Sequence, residues 1–331
     1  MLLVGIDEAG YGPVLGPLVI SAVGFRIPSA LGSMCLWELL SESVTNKPSR
    51  KTGKLVITDS KKLYADRSSL ANLERSALAP IWSAADPRPE TLTALLKAIS
   101  LDPDPHLYHQ WYCHADPSIP CEADRDDLRI AVKMFAGELR DLDAAVEFVR
   151  SIPMVEARFN HLYDRMRNKS ALLLNETIRL IDSIIRTTKE REILIYLDRQ
   201  SGRTRYTDTL LRCFGASGTI EVLEETDDHS GYSLSWGGKA IRLHFLVKGE
   251  TRQLPIALAS IVSKYLRELF MLQFNDYWVR LCPQIKPTAG YHQDGLRFIT
   301  ELVAALQEKR VPLRALLRHD QESHWHRGRT S

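Results

Sequence analysis

The sequence predicts an α/β fold: a mixed central sheet flanked by helices, with a mainly helical insertion. Three observations carry this. Short runs of branched apolar residues, bounded by turn residues, read as buried strands. Longer segments with an apolar face at helical spacing follow them in mixed order, which calls for helices packed on a sheet. Between the two lies a stretch broken by prolines, unlike the chain on either side.

Leu2–Ile6 is a buried strand that stops at Asp7-Glu8-Ala9-Gly10. Leu18–Phe25 is a second strand, reached through the turn residues Gly10-Tyr11-Gly12-Pro13. Leu55–Thr58 reads as a third, followed by a helix start that Asp59 or Ser60 can cap. From about Ala84 to Arg150, Pro87, Pro89, Pro103, Pro105, Pro117 and Pro120 divide the chain, with helical patterns at Glu90–Ile99 and Leu128–Leu142. Residues 84–150 are therefore expected to form a helical insertion, and 1–83 with 151–331 the main domain. One long helical pattern covers roughly Val155–Thr187. Ile193–Leu197 is a strand ending at Asp198, Thr219–Leu223 and Ala240–Val247 are further strands, and Leu254–Leu281 and Tyr291–Lys309 are helices.

The chain has 331 residues, 44% hydrophobic and 25% charged, which excludes a wholly disordered or fibrous protein. A net charge of +2 leaves any polyanion binding to local clusters. Basic residues gather at Arg50-Lys51-Lys54, at Arg199-Arg203-Arg205, and around Arg314, Arg318, Arg327 and Arg329. Five cysteines, an odd number without a CxxC, fit reduced thiols. The N-terminus lacks a basic leader and no apolar run reaches membrane length, so a cytoplasmic protein with no membrane contact is expected.

Three strands end at or near acids: Asp7-Glu8, Asp198, and Glu250 after Val247-Lys248-Gly249. Ends of adjacent strands in an α/β sheet lie together and bind ligands there. Gathered carboxylates repel unless a cation neutralises them, and hard oxygen donors suit Mg²⁺ or Mn²⁺. Two such ions roughly 3.5–4 Å apart can drive phosphodiester hydrolysis. Strand-end acids can equally be solvated turn residues, and the pattern by itself leaves both readings open.

Val4-Gly5-Ile6-Asp7-Glu8-Ala9-Gly10-Tyr11-Gly12-Pro13-Val14-Leu15-Gly16-Pro17-Leu18-Val19 resembles the opening signature of the type 2 ribonucleases H, HII and HIII. Asp59-Ser60-Lys61-Lys62-Leu63, Leu197-Asp198, Val247-Lys248-Gly249-Glu250 with Ala259-Ser260-Ile261-Val262-Ser263-Lys264, and Gly290-Tyr291 resemble later motifs of that family, in its order. The resemblance implies a ribonuclease H-like fold and a two-metal endonuclease that hydrolyses the RNA strand, or embedded ribonucleotides, of RNA–DNA duplexes. Asp7, Glu8, Asp198 and Glu250 are then the catalytic metal ligands, for Mg²⁺ or Mn²⁺. Gly10, Tyr11 and Gly12 contact the ribose 2′-hydroxyl, the group that marks RNA. Tyr291 stacks or hydrogen-bonds at the scissile nucleotide. Ser60, Lys61, Lys62 and Lys264 complete the substrate-binding set, the lysines as positioning charges. Tyr11 stands where the family has a basic residue, Thr288-Ala289 where it has His-Lys, and Arg267-Glu268 where it has Arg-Asp. Two alternatives remain: a non-catalytic hybrid- or junction-binding protein on the same scaffold, and a nuclease for another structured nucleic acid. No protein partner is implied, and a monomer is the expectation.

His106, His109, Cys113, His114 and Cys121 have zinc-ligand types, but the interleaved Tyr108, Trp111 and Tyr112 read equally as a packed aromatic loop. His319, His324 and His326 lie in a terminal segment suited to touching phosphates rather than a metal. Gly237-Gly238 lacks nucleotide-binding spacing, and Cys35 and Cys282 lack a nearby His to activate them.

Overall fold

The structure is a computed structural model that describes residues 1–47, 53–64, 69–103, 109–216, 218–306 and 312–321. Its strands are β1 (Leu2–Ala9), β2 (Leu18–Arg26), β3 (Val44–Thr45), β4 (Leu55–Val56), β5 (Ala145–Met154), β6 (Glu192–Asp198), β7 (Gly218–Glu225), β8 (His229–Trp236) and β9 (Lys239–Leu246). The helices run α1 (Leu36–Leu39), α2 (Ser60–Leu63), α3 (Ala71–Ala84), α4 (Leu92–Ile99), α5 (Arg125–Asp141), α6 (Glu156–Met166), α7 (Lys169–Thr187), α8 (Thr207–Phe214), α9 (Leu254–Leu281), α10 (His292–Leu306) and α11 (Leu313–Leu316).

The central sheet has the order β5-β2-β1-β6-β9-β8-β7. β1, β6 and β9 run parallel, and β2, β5, β8 and β7 join antiparallel neighbours. This is the mixed, helix-flanked α/β sheet that the sequence predicts. β1 is buried on both faces, as its unbroken apolar run requires: Leu3 enters one core, and Leu2, Val4 and Ile6 the other. The first core is dominated by α9, the second by α7 with Phe159, Leu210 and Phe214. Gly5 allows α9 to start directly against β1, since a Cβ there would lie 2.0 Å from the Pro255 backbone carbon.

Several expectations are corrected. The long helical pattern over 155–187 is two helices, because Arg167 takes a left-handed conformation and Asn168 starts α7 by accepting from the Ala171 amide. The expected strand at 55–58 is only β4, paired with β3 in a separate small sheet. Residues 145–150, placed in the insertion with the proline-broken stretch before them, form most of β5 in the central sheet. The rest of the described insertion is not set apart either: Leu95, Trp111, Leu128 and Phe135 share one core with Leu3, Val19 and Phe270. Gly237 and Gly238 both have positive φ and make the tight turn between β8 and β9, which is no phosphate cradle. The last long helix is described from His292 to Leu306, and the expected continuation to Lys309 lies outside the described residues. No helix among the described residues is long and apolar enough to cross a membrane, and all five cysteines are outside disulfides.

Candidate active site

β1 and β6 are parallel neighbours with Ile6 opposite Leu197, so the next residue of each strand, Asp7 and Asp198, falls at the same sheet edge. β9 lies beside β6, and the turn Gly249–Thr251 after it brings up Glu250. Strands far apart in sequence thus deliver Asp7, Glu8, Asp198 and Glu250 to one pocket of about 380 Å³.

The carboxylates are crowded there. Burial, then Glu8 and Asp198, push Asp7 well above the ordinary carboxylate range, while a Ser260 hydrogen bond opposes the rise. Burial and the Asp198 charge push Glu8 up to about 7, against a Gln200 hydrogen bond and the Lys61 charge. Asp198 rises to about 6, by burial first and then through Glu250, although the Gly249 amide donates to its Oδ1 at 2.7 Å. Acids held like this ionise together only if a cation compensates them. Four oxygen-donor side chains are a hard-ligand set, the kind that Mg²⁺ and Mn²⁺ prefer. In this conformation, no three His, Cys, Asp or Glu side chains among the described residues close on one point as metal ligands.

The pocket lining also contains much of the remaining set expected from the sequence: Gly10, Tyr11, Gly12, Ser60, Lys61, Lys264 and Tyr291. Gly10 turns the chain at φ +86°, which a side chain would strain. The Tyr11 hydroxyl accepts from Ser201 at 2.9 Å, and the Lys169 ammonium sits 4.6 Å over its ring. Asp59 caps α2 by accepting from the Lys61 amide at 2.9 Å, which fixes Lys61 at the rim. Lys62 differs: it is exposed and lies outside the pocket lining. Lys264 is buried and ion-paired to Glu268 at 2.5 Å, with its ammonium over the Tyr64 ring. Tyr291 is 39% exposed, with the Arg267 guanidinium over its ring.

Some residues here escaped sequence reasoning. Gln200, buried two places after Asp198, donates to Thr177 at 2.8 Å and supports Glu8. Ser260 bonds Asp7 and lies 3.0 Å from the Ser60 hydroxyl. Arg318, grouped by sequence with a basic tail, is wholly buried beneath the Gly10–Gly16 turn. A polar residue just past a strand-end acid was the available signal for Gln200; nothing local marked Arg318.

The other candidates resolve into ordinary contacts. His109 stacks on Trp111, His114 pairs with Asp276 at 2.8 Å, and the Cys121 thiol reaches the Ser118 carbonyl. Trp111 and Tyr112 pack edge-on against Phe274 and Phe270 of α9. His106 and Tyr108 lie outside the described residues, as do Arg50, Lys51, His324, His326, Arg327 and Arg329. His319 pairs with Asp164 at 2.9 Å.

Neither a protein-family model nor a curated protein matches this chain. Among solved structures, ribonuclease H2 from Pyrococcus horikoshii OT3 gives a TM-score of 0.44 at 14% identity, over 100% of both chains. RNase HII from Archaeoglobus fulgidus, solved as a PCNA complex, gives 0.41 at 15%, over 96% of this chain and 94% of that one. RNase H3 from Aquifex aeolicus gives 0.39 at 15%, over 96% and 71%. At such distances the chemistry has to be judged from the side chains of the pocket.

Proposed function

We propose that this protein is a divalent-metal-dependent endonuclease, a divergent relative of the type 2 ribonucleases H, that cuts the ribonucleotide-containing strand of RNA–DNA duplexes. The observation that carries the reading is the meeting of four acids from the ends of three strands in one pocket, three of the acids driven up by burial and mutual repulsion. A protein meant only to hold a polyanion has no reason to place such a cluster against it.

Asp7, Glu8, Asp198 and Glu250 are the residues that would hold the ions, by side-chain adjustment within the pocket they share. Bound Mg²⁺ or Mn²⁺ supplies activation of a water and stabilisation of the leaving oxygen. The chain's own contributions are positional. The Gly10–Tyr11–Gly12 strip, in the same pocket as the acids, would meet the ribose, whose 2′-hydroxyl distinguishes RNA from DNA. Lys61 supplies a charge for the phosphate backbone, and Tyr291 an aromatic group at the pocket. Lys264 acts from beneath, tied to Glu268.

The test is cleavage of three labelled duplexes in Mg²⁺ and then Mn²⁺: DNA with one ribonucleotide, a full RNA–DNA hybrid, and plain DNA. Cutting confined to ribonucleotide-containing strands, with a fall on the order of 10³-fold or more in Asp7→Asn, is the expected result. Tight hybrid binding without turnover in either metal would instead mark a binding protein on a nuclease scaffold. Cutting of plain DNA would redirect the substrate assignment.

A further inference from the structure

The turn from Gly10 to Gly16, whose first residues line the pocket, is held from below by parts of the chain that never touch the acids. The Arg318 guanidinium donates to the Gly10 carbonyl at 2.6 Å and to the Gly16 carbonyl at 2.6 and 3.0 Å. The Arg318 amide also donates to the Val14 carbonyl at 3.2 Å. The Gly16 amide donates to Glu156 at 2.8 Å, and that carboxylate is wholly buried. Glu156 in turn accepts from the Tyr112 hydroxyl at 2.8 and 3.1 Å. Tyr112 belongs to the proline-rich segment, whose connection to the pocket is otherwise unaccounted for.

A buried arginine and a buried glutamate are costly to keep unless each is fully engaged. Here Arg318 gives its side-chain hydrogen bonds to the backbone of this turn, and Glu156 divides its own between the Gly16 amide and the Tyr112 hydroxyl. The planar fork of an arginine suits this, because it can bridge two carbonyls at fixed spacing. The same C-terminal segment reaches Tyr11 as well: Asp320 pairs with Lys169 at 2.6 Å, and Lys169 lies over the Tyr11 ring.

We propose that Arg318, Glu156 and Tyr112 are positioning residues for the substrate-facing Gly10–Tyr11–Gly12 strip, and that through Tyr112 the proline-rich segment sets the geometry of the active site. The proposal rests on the reading of the pocket as a nucleic-acid site. Its first readout, however, is independent of cleavage. Tyr112→Phe removes one hydroxyl and keeps the packed ring. Arg318→Lys keeps the charge but cannot bridge both carbonyls.

In both variants, hydrogen exchange of the amides from Gly10 to Gly16 should rise about 10-fold, roughly the worth of one lost hydrogen bond, with exchange elsewhere unchanged. For turnover, the substrate strip is displaced rather than removed, so kcat should fall about 10-fold in Tyr112→Phe and about 10²-fold in Arg318→Lys. Leu234→Ala, a core variant in β8 outside that segment and chosen for a matching loss of Tm, is the comparator and should leave kcat nearly intact. Millimolar ethylguanidinium should restore part of the activity of Arg318→Ala. The proposal is overturned if exchange at residues 10–16 stays at the wild-type rate, if it rises evenly over the whole chain, or if kcat falls no further than in Leu234→Ala. Should the wild-type protein cut no substrate, the functional reading fails, and the exchange experiment still decides the role of the three residues.

Discussion

At the scale of single residues, the acids of the pocket are in tension with the fold that gathers them. Glu8 is pushed from 4.5 to about 7, chiefly by burial, and Asp198 from 3.8 to about 6 for the same first reason. In the folded protein these groups keep protons that the unfolded chain has already released by about pH 5. Their contribution to stability is therefore complete below the unfolded values and is lost as pH rises through the folded ones. Without divalent ions, the protein should melt at progressively lower temperature between about pH 5 and pH 8. Glu8→Gln cannot ionise and should flatten that slope, giving a metal-free variant more stable than wild type at pH 8 by on the order of 1–3 kcal/mol. Thermal melts of both proteins across this range, in chelator, measure it. Parallel melting curves with the same pH slope would mean that Glu8 is not under the strain its surroundings imply.

At the scale of elements, Glu74 of α3 shows how the segment after it is fastened. Its buried carboxylate accepts from the amides of Cys121, Glu122 and Ala123 at 2.7–2.8 Å and from the Tyr265 hydroxyl of α9 at 2.6 Å. Glu74→Ala strands four donors at once and should cost about 3–5 kcal/mol, read as a lowered urea midpoint at unchanged m-value. A cost under about 1 kcal/mol would show that water can replace the carboxylate. The same elements explain what the sequence could express. β1 and β6 were legible as continuous apolar runs and β9 as an alternation of Ile241, Leu243 and Phe245 with polar or small residues, and the acids at or just after their ends were legible with them. β8 was not, since His229–Trp236 alternates with serines and a glycine and gains its apolar character only through Tyr232 and Leu234 against the second core. α3 contains Pro80, which breaks the helical pattern on paper while the helix continues in the structure. Arg318 looked like any other cation near a terminus. Its burial is fixed by contacts with Gly10 and Gly16, about as far away in sequence as the chain allows, and spacing carries no trace of such a pairing.

At the scale of the whole molecule, the site exists only when the sheet does. Asp7, Asp198 and Glu250 come from β1, β6 and the turn after β9, and nothing in the unfolded chain keeps them together. An ion that needs all of these strands binds the native state alone and must stabilise it by mass action, about 2.7 kcal/mol at 100 times its dissociation constant. For a chain of this size that corresponds to a rise of about 4 °C in Tm. Ion and protons compete for the same oxygens, and Glu8 and Asp198 titrate near 7 and 6. The Tm rise produced by Mg²⁺ or Mn²⁺ should therefore be small at pH 5 and full at pH 8, opposite in sign to the pH trend of the metal-free protein. Asp198→Asn should remove most of it, because that carboxylate lies between the other strands' acids. The deciding comparison is the metal-induced Tm shift in wild type and Asp198→Asn at both pH values. A shift that is equal at the two pH values, or that survives the substitution, would place the ion on some other surface and leave the acids of the pocket without the cation their crowding requires.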